Sequence, residues 1–257
     1  MRTLGSLFAS AVAPLLLLAL SGQAQSAPPA GPAEAPTCDH PFGLRESQNL
    51  EYRLLDAKGK ATGTWRYRVL KISTDTLGKK SRRVATTRVR MKSGLYDLGN
   101  RVKQQQDLTV FCRRDTTFTD GMAELNYDAM DSFRDRLKAY TPTPMAWPNQ
   151  PTTSSALPNG GILVQVSSSA VAIAKVSSVV RQRKVLAGPM AVTVPAGTFT
   201  CYQVESQREY ATAARADLVM KSGGRTVDYY DPAVGIVKTE YYDKGGKLAQ
   251  TKVLAKR

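Results

Sequence analysis

The sequence predicts a mainly β protein: an antiparallel sheet with one apolar and one wet face, one amphipathic helix and a Pro-rich loop. Three observations carry that expectation. Two-residue alternation of apolar and polar side chains recurs from Asn49 to the C-terminal end, Gly, Pro and Asp punctuate it at short intervals, and a three-to-four-residue period appears once, between Met122 and Leu137.

Ahead of the first strand the chain has the make-up of an exported protein. Arg2 supplies a positive start, Leu7 to Leu20 form an apolar run too short for a membrane span, and Gly22, Gln23 and Ala24 place small residues at a cleavage site. Residues 1–24 are therefore read as a signal peptide cut after Ala24, with Ser26 the alternative. Residues 25–37, "QSAPPAGPAEAPT", hold four prolines and no large apolar side chain. Such a segment buries too little surface to offset its ordering entropy and reads as a flexible tether. A single β-rich domain is expected over 38–257.

Lys and Arg number 36 against 21 Asp and Glu, a formal net charge of +15, and removal of the leader takes away only Arg2. A basic exported protein meets anionic surfaces readily, which concerns encounter rather than specificity. Three cysteines, Cys38, Cys112 and Cys201, lie in the exported part, where disulfides persist. One bridge is allowed and three pairings are open. Cys38–Cys112 is favoured because it ties the end of the tether onto the sheet, leaving Cys201 buried in a strand.

The strands follow in order. "NLEYRLLD" (49–56), the turn "AKGK" and "ATGTWRYRVLKIST" (61–74) read as a hairpin in which Trp65, Tyr67 and Val69 alternate with Arg66, Arg68 and Leu70. "SRRVATTRVRMK" (81–92) repeats the pattern, setting Val89 and Met91 against Arg88, Arg90 and Lys92, and "DLTVFCRRDTTF" (107–118) is a further strand. Met122, Leu125, Ala129, Phe133 and Leu137 then predict an amphipathic helix over 122–138, with Arg134, Arg136 and Lys138 at its cation-favouring end. Residues 141–161, with five prolines and an Asn-Gly-Gly end, read as a long irregular loop.

From Ile162 strands return as a meander: "ILVQVSSS", "KVSSVVRQRKVLAG", "AVTV", "FTCYQVESQREY", "ADLVMK", "RTVDYY", "GIVKTEYYD" and "KLAQTKVL". Pro195-Ala196-Gly197 is a turn, and Asp231-Pro232 opens another, since proline cannot donate into a ladder. The tyrosine-rich stretch 227–248 is thus a terminal hairpin, with Val237, Thr239 and Tyr241 on one face, Ile236, Lys238, Glu240 and Tyr242 on the other, and Gly235 a candidate bulge.

Two of these segments, "VTVPAGTFTCYQVES" (192–206) and "YYDPAVGIVKTEYYDKGGKL" (229–248), carry a resemblance. V-P-A-G-T-F ahead of a Tyr/Val strand, followed by Y-x-P-x-V-G-x-V-K in that order, resembles the TapB-like exported bacterial proteins, a family of unknown function related to the domain-of-unknown-function 3108 group. What the resemblance implies is a curved antiparallel sheet, similar to the half-barrels that carry lipoproteins and lipids across the envelope. It brings no catalytic residues with it.

Enzyme chemistry is poorly supported. His40 is the only histidine and stands beside the tether, where a Ser-His-Asp or Cys-His arrangement would have to recruit it. No His/Cys cluster suggests a metal, "DAMDSFRD" lacks the ligand spacing of a calcium loop, and no cofactor is expected. Two binding readings remain. An apolar ligand such as a lipid would sit in the curve of the sheet against Trp65, Tyr67, Phe133 and Trp147. Alternatively, Arg82, Arg83, Arg88, Arg90 and Lys92, with Lys79 and Lys80 just ahead of them and Arg181, Arg183 and Lys184 adding three more cations, would hold a polyanion such as lipopolysaccharide or another anionic envelope surface. Specific nucleic-acid binding is not expected, because Trp65 and Tyr67 face away from the cations that would accompany them. Docking of an envelope partner through an edge strand is the remaining reading, and periplasm and cell exterior are equally open.

Overall fold

The computed structural model describes residues 37–77, 84–169, 171–215 and 218–257. The expected leader and nearly all of the tether, together with Lys79, Lys80, Arg82 and Arg83, lie outside the described residues. Among those described, no helix is long and apolar enough to cross a membrane.

Alternation builds the sheet as expected. Its strands are β1 (Asn49–Asp56), β2 (Ala61–Leu77), β3 (Val84–Tyr96), β4 (Val102–Arg113), β5 (Thr116–Thr119), β6 (Leu137–Thr143), β7 (Met145–Pro148), β8 (Ala156–Leu157), β9 (Gly160–Ser167), β10 (Ala172–Val194), β11 (Gly197–Arg215), β12 (Leu218–Asp231), β13 (Gly235–Tyr242) and β14 (Leu248–Lys256). All described pairings are antiparallel, and the order is β6-β9-β10-β11-β12-β13-β14-β1-β2-β3-β4-β5-β7, with β8 added beside β10. The two ends of that order, β6 and β7, are consecutive in the chain and separated only by Pro144. The sheet therefore curls until its edges meet, and the expected half-barrel is a nearly closed, barrel-like sheet.

Inward parity defines the core. Leu50, Tyr52 and Leu54 of β1, Val69 of β2, Val89 and Met91 of β3, Leu108 and Val110 of β4 and Leu254 of β14 are all buried. Each aliphatic side chain removed from water in this way contributes about 1.5–3 kcal/mol. Between Val69 and Lys71 the β2–β3 register shifts, so Leu70 is an extra residue and alternation resumes with Ile72 inward.

The helix expected over 122–138 does not form. Two short 3-10 turns, Gly121–Glu124 and Asp128–Phe133, take its place, and Leu137 already belongs to β6. Asp120 caps the first turn by accepting from the Met122 N–H, and the chain turns extended at Leu125. Asn126 then offers its side-chain oxygen to the Ala129 N–H at 3.3 Å, a local bond that competes with a helical ladder. Four of the five residues of that period, Met122, Leu125, Ala129 and Phe133, are partly buried and join Met130 in covering Ile162, Val164, Val166, Ala174 and Val176 of β9 and β10, whereas the fifth, Leu137, is exposed. A three-residue turn brings the same side chains together as an α-helix would.

The loop expected over 141–161 is also mostly strand. It contains the end of β6, then β7, β8 and the start of β9. Its five prolines are compatible with strands because each stands where no donor is needed: Pro142 in the terminal strand β6, Pro144 between β6 and β7, Pro148 at the end of β7, Pro151 between β7 and β8 and Pro158 between β8 and β9. Likewise "RTVDYY" and the described part of "ADLVMK", from Leu218 on, are one strand, β12. Gly223 and Gly224 do not break it but allow close approach, since a Cβ there would lie 2.1 Å from the Arg208 carbonyl oxygen and 2.0 Å from that of Tyr242.

Cys38 and Cys112 form a disulfide with Cα atoms 5.1 Å apart, joining the start of the folded chain to β4. Cys201 is a buried free thiol.

Candidate ligand cavity

Inside the curl lies a cavity of about 170 Å³. Its wall is apolar on the β1–β4 and β7 side, where Leu50, Leu54, Met91, Leu108, Val110 and Met145 face in. A 3-10 turn at Pro41–Gly43 delivers Phe42 and, next to it, Leu44 to the lining. The Arg257 guanidinium holds that turn by donating to the carbonyls of Phe42 (2.6 Å) and Ala233 (3.2 Å). The second turn, Gly121–Glu124, adds Ala123 and Glu124.

The opposite wall, β11 to β14, is polar. Register places Asp228, Thr239 and Lys252 directly side by side on β12, β13 and β14, with Leu54 of β1 next in the row. A second row pairs Ser206 with Thr226 and continues to Tyr241 and Gln250. Thr239 donates to the Asp228 carboxylate at 2.7 Å, and the Ser206 and Thr226 hydroxyls share a 2.7 Å bond. Arg208 reaches from β11 to an ion pair with Glu124, both side chains about nine-tenths buried, and its guanidinium lies 5.5 Å from the Tyr241 ring centroid. Lys252 places its ammonium 5.4 Å from the ring centroid of Tyr52, whose hydroxyl donates to the Ile236 carbonyl at 2.8 Å.

Electrostatics follow from that enclosure. Burial pushes the Tyr52 hydroxyl well above the ordinary phenol range and raises that of Tyr67 too. For Lys252 burial opposes the charge, but the oxygens of Tyr241, Tyr67, Tyr52 and Asp228 outweigh it, and its pKa stands above the usual lysine value. Burial likewise pushes the Cys201 thiol up to about 12, so it stays protonated and unreactive.

Of the expected ligand residues, Trp65, Tyr67 and Trp147 line this cavity and Phe133 does not. Phe133, the last residue of the Asp128–Phe133 turn, packs instead on the separate cluster over β9 and β10. Trp147 is 1% exposed, held by its ring N–H donating to the Thr119 hydroxyl at 3.0 Å. Sequence reading passed over Arg208, Asp228, Thr239 and Lys252. The signal was present: Lys252 shares parity with Leu254, and Arg208 with Val204, so each is a charge on an apolar face.

Of the expected polyanion residues, Arg90 and Lys92 are exposed on the outer face, and Arg88 is paired with Asp75 at 2.8 Å. Arg82 and Arg83 are outside the described residues. Arg183 is not a surface cation but 1% exposed. Gln182, at φ 51°, lies in a register shift between Arg181 and Lys184 that turns Arg183 inward. Among the described residues no cluster of His, Cys, Asp and Glu is arranged to hold a metal ion.

Two solved structures share the architecture. One is a candidate lipoprotein from Parabacteroides distasonis, 21% identical with a TM-score of 0.63, and the other a candidate exported protein of YmcC-like fold from Bacteroides fragilis, 18% identical with a TM-score of 0.58. Each alignment covers 84% of this chain and 98% of the other. At these identities the likeness concerns the fold alone. No curated protein matches. The DUF3108-like profile matches residues 45–254, the span from the approach to β1 to the end of β14, and the chain belongs to the DUF3108-like family.

Proposed function

We propose that this is an exported, non-enzymatic protein of the bacterial envelope that holds one amphiphilic molecule, such as a lipid, inside its curled sheet. The observation that carries the reading is the two-sided cavity, with an aliphatic wall from β1–β4 and a polar wall from β11–β14. Such a division suits a molecule with a chain and a head group. Export is supported by the leader-like N-terminal residues and by the exported and lipoprotein character attributed to the two structural relatives. A holding rather than a transforming role is supported by the lining acids, which are engaged: Asp228 with Thr239, Glu124 with Arg208, and Asp120 with two main-chain N–H groups. Native mass spectrometry of protein isolated from its own envelope tests the reading. A stoichiometric co-purifying amphiphile is expected. A ligand-free protein that also fails to take up a fluorescent fatty-acid probe overturns it.

A second reading rests on a separate observation on the outer face. Register sets Arg68 directly opposite Lys92, and Lys71 opposite Arg90, all four exposed. Like charges opposed across strands cost stability, so the patch is suited to an anionic envelope surface that neutralises it. Binding to lipopolysaccharide that weakens with salt, and weakens further in R90Q/K92Q, is the expected result. Binding indifferent to both removes the reading.

A further inference from the structure

We infer that the cavity selects amphiphiles with an anionic head group, a carboxylate or a phosphate monoester, and that Lys252 is the side chain that receives it. This inference deepens the amphiphile reading above and rests on it. Among the described residues five charged side chains line the cavity: Asp120, Glu124, Arg208, Asp228 and Lys252. Four have partners. Asp120 accepts from the N–H groups of Thr109 and Met122, both at 2.9 Å, Glu124 and Arg208 pair with each other, and Asp228 accepts from Thr239 at 2.7 Å. Lys252 is different: among the described residues its ammonium forms no hydrogen bond or ion pair, only the approach to the Tyr52 ring at 5.4 Å. Its donors are unused, so an arriving carboxylate or phosphate gains charge-assisted hydrogen bonds without displacing an existing partner.

Position strengthens the assignment. Lys252 stands in the cross-strand row beside Leu54, where the polar wall meets the aliphatic one. A head group bound there leaves its chain pointing along Leu50, Met91, Leu108 and Val110. Asp228, two strands away and already bonded to Thr239, disfavours a second anion deeper in the row and so limits the site to one. Charge-assisted bonds to carboxylate or phosphate are roughly twice as strong as neutral ones, which gives the head group its selectivity.

The experiment uses the full exported chain after delipidation, with calorimetric titration of single-chain probes below their micelle concentrations. Laurate and dodecyl phosphate are the anionic probes, monolaurin the neutral one, dodecyltrimethylammonium the cationic one and inorganic phosphate the chainless one. The unsubstituted protein is expected to bind both anionic probes at least about tenfold more tightly than monolaurin, corresponding to about 1.4 kcal/mol. Lys252→Met, which keeps much of the length and packing of the stem, is expected to abolish that preference by weakening both anionic probes at least about tenfold relative to monolaurin. Lys252→Arg is expected to retain it, and thermal melts verify that both variants are folded. Equal binding of all chained probes, a preference for the cationic one, or a preference unchanged in Lys252→Met would each overturn the head-group assignment with amphiphile binding left standing, whereas inorganic phosphate binding as tightly as dodecyl phosphate would overturn the amphiphile reading itself. Failure of every chained probe to bind would overturn both.

Discussion

The Arg183 guanidinium lies over the indole of Trp147, 4.7 Å from the ring centroid, and joins β10 to β7 at the edge of the curled sheet. The same group donates to the carbonyls of Ala146 (2.9 Å) and Pro158 (3.1 Å), which would otherwise be stranded near that edge. Trp147 in turn packs against Tyr230 at 5.1 Å, and the Tyr230 hydroxyl donates to the Pro148 carbonyl. Closure of the sheet is thereby sealed by side chains where backbone pairing ends. Burial drives the Arg183 pKa down to about 10, opposed by Asp228 and Tyr230, yet it remains protonated at physiological pH.

Removing that seal has a measurable cost. Arg183→Met keeps the stem over Trp147 but leaves both carbonyls without their donor, and a loss of about 2–4 kcal/mol in urea denaturation is expected. Arg183→Lys can reach one carbonyl but not both in the same geometry and should fall between. An Arg183→Met protein as stable as the parent would show that β7 is held by packing alone.

The disulfide stabilises through the loop it closes. Cys38 and Cys112 are 74 residues apart, a separation for which the chain-entropy account gives about 4 kcal/mol. Reduction is expected to lower the urea midpoint accordingly. Cys201, fully buried, should resist alkylation until the reduced protein unfolds.

Gly235 separates two contributions that usually travel together. It has φ 97°, and a Cβ there would lie 3.2 Å from the Phe42 ring, whereas Gly59, at φ 78°, has open space around it. Gly235→Ala is expected to cost about 1–3 kcal/mol for the backbone conformation alone, and more once the Phe42 turn is displaced. Gly59→Ala should show the backbone part only. Equal losses at the two sites would mean that Phe42 yields without cost.

Glu240 gives the pH dependence. Burial works to raise its carboxyl pKa, but hydrogen bonds from Lys238 and Tyr242 outweigh it and hold the value below the ordinary glutamate range. A folded-state pKa lower than the unfolded one stabilises fully above the unfolded value and loses that stability as pH falls through the folded one. The stability gap between the parent protein and Glu240→Gln should therefore be largest near neutral pH and shrink on acidification below the usual glutamate range. In Tyr242→Phe the Glu240 titration, followed by carboxyl-carbon NMR, should move upward.

Much of this molecule is written in local pattern. Leu50, Tyr52 and Leu54, then Val89 and Met91, alternate with polar neighbours and are buried where parity puts them. The turn at Asp231-Pro232 and the hairpin after it lie where proline's missing donor requires. Even the misread helix pointed to the right buried side chains, since Met122, Leu125 and Phe133 share one cluster. What failed was the period itself: recurrence at three and four residues does not distinguish a continuous α-helix from two 3-10 turns, because an Asn126 or Asp120 side chain can take over the backbone bonds.

From its sequence alone the chain determined an antiparallel sheet and the inward faces of its strands, since both depend on side-chain order along a two-residue repeat. Tertiary structure decided the rest: that the sheet curls until β6 meets β7, that Arg183 turns inside through a bulge, and that Asp228, Thr239 and Lys252 stand in one row of a cavity. Those relationships join residues 11 and 13 positions apart on paired strands, or the far ends of a curled sheet, and depend on register, which strand pairing sets and local alternation does not.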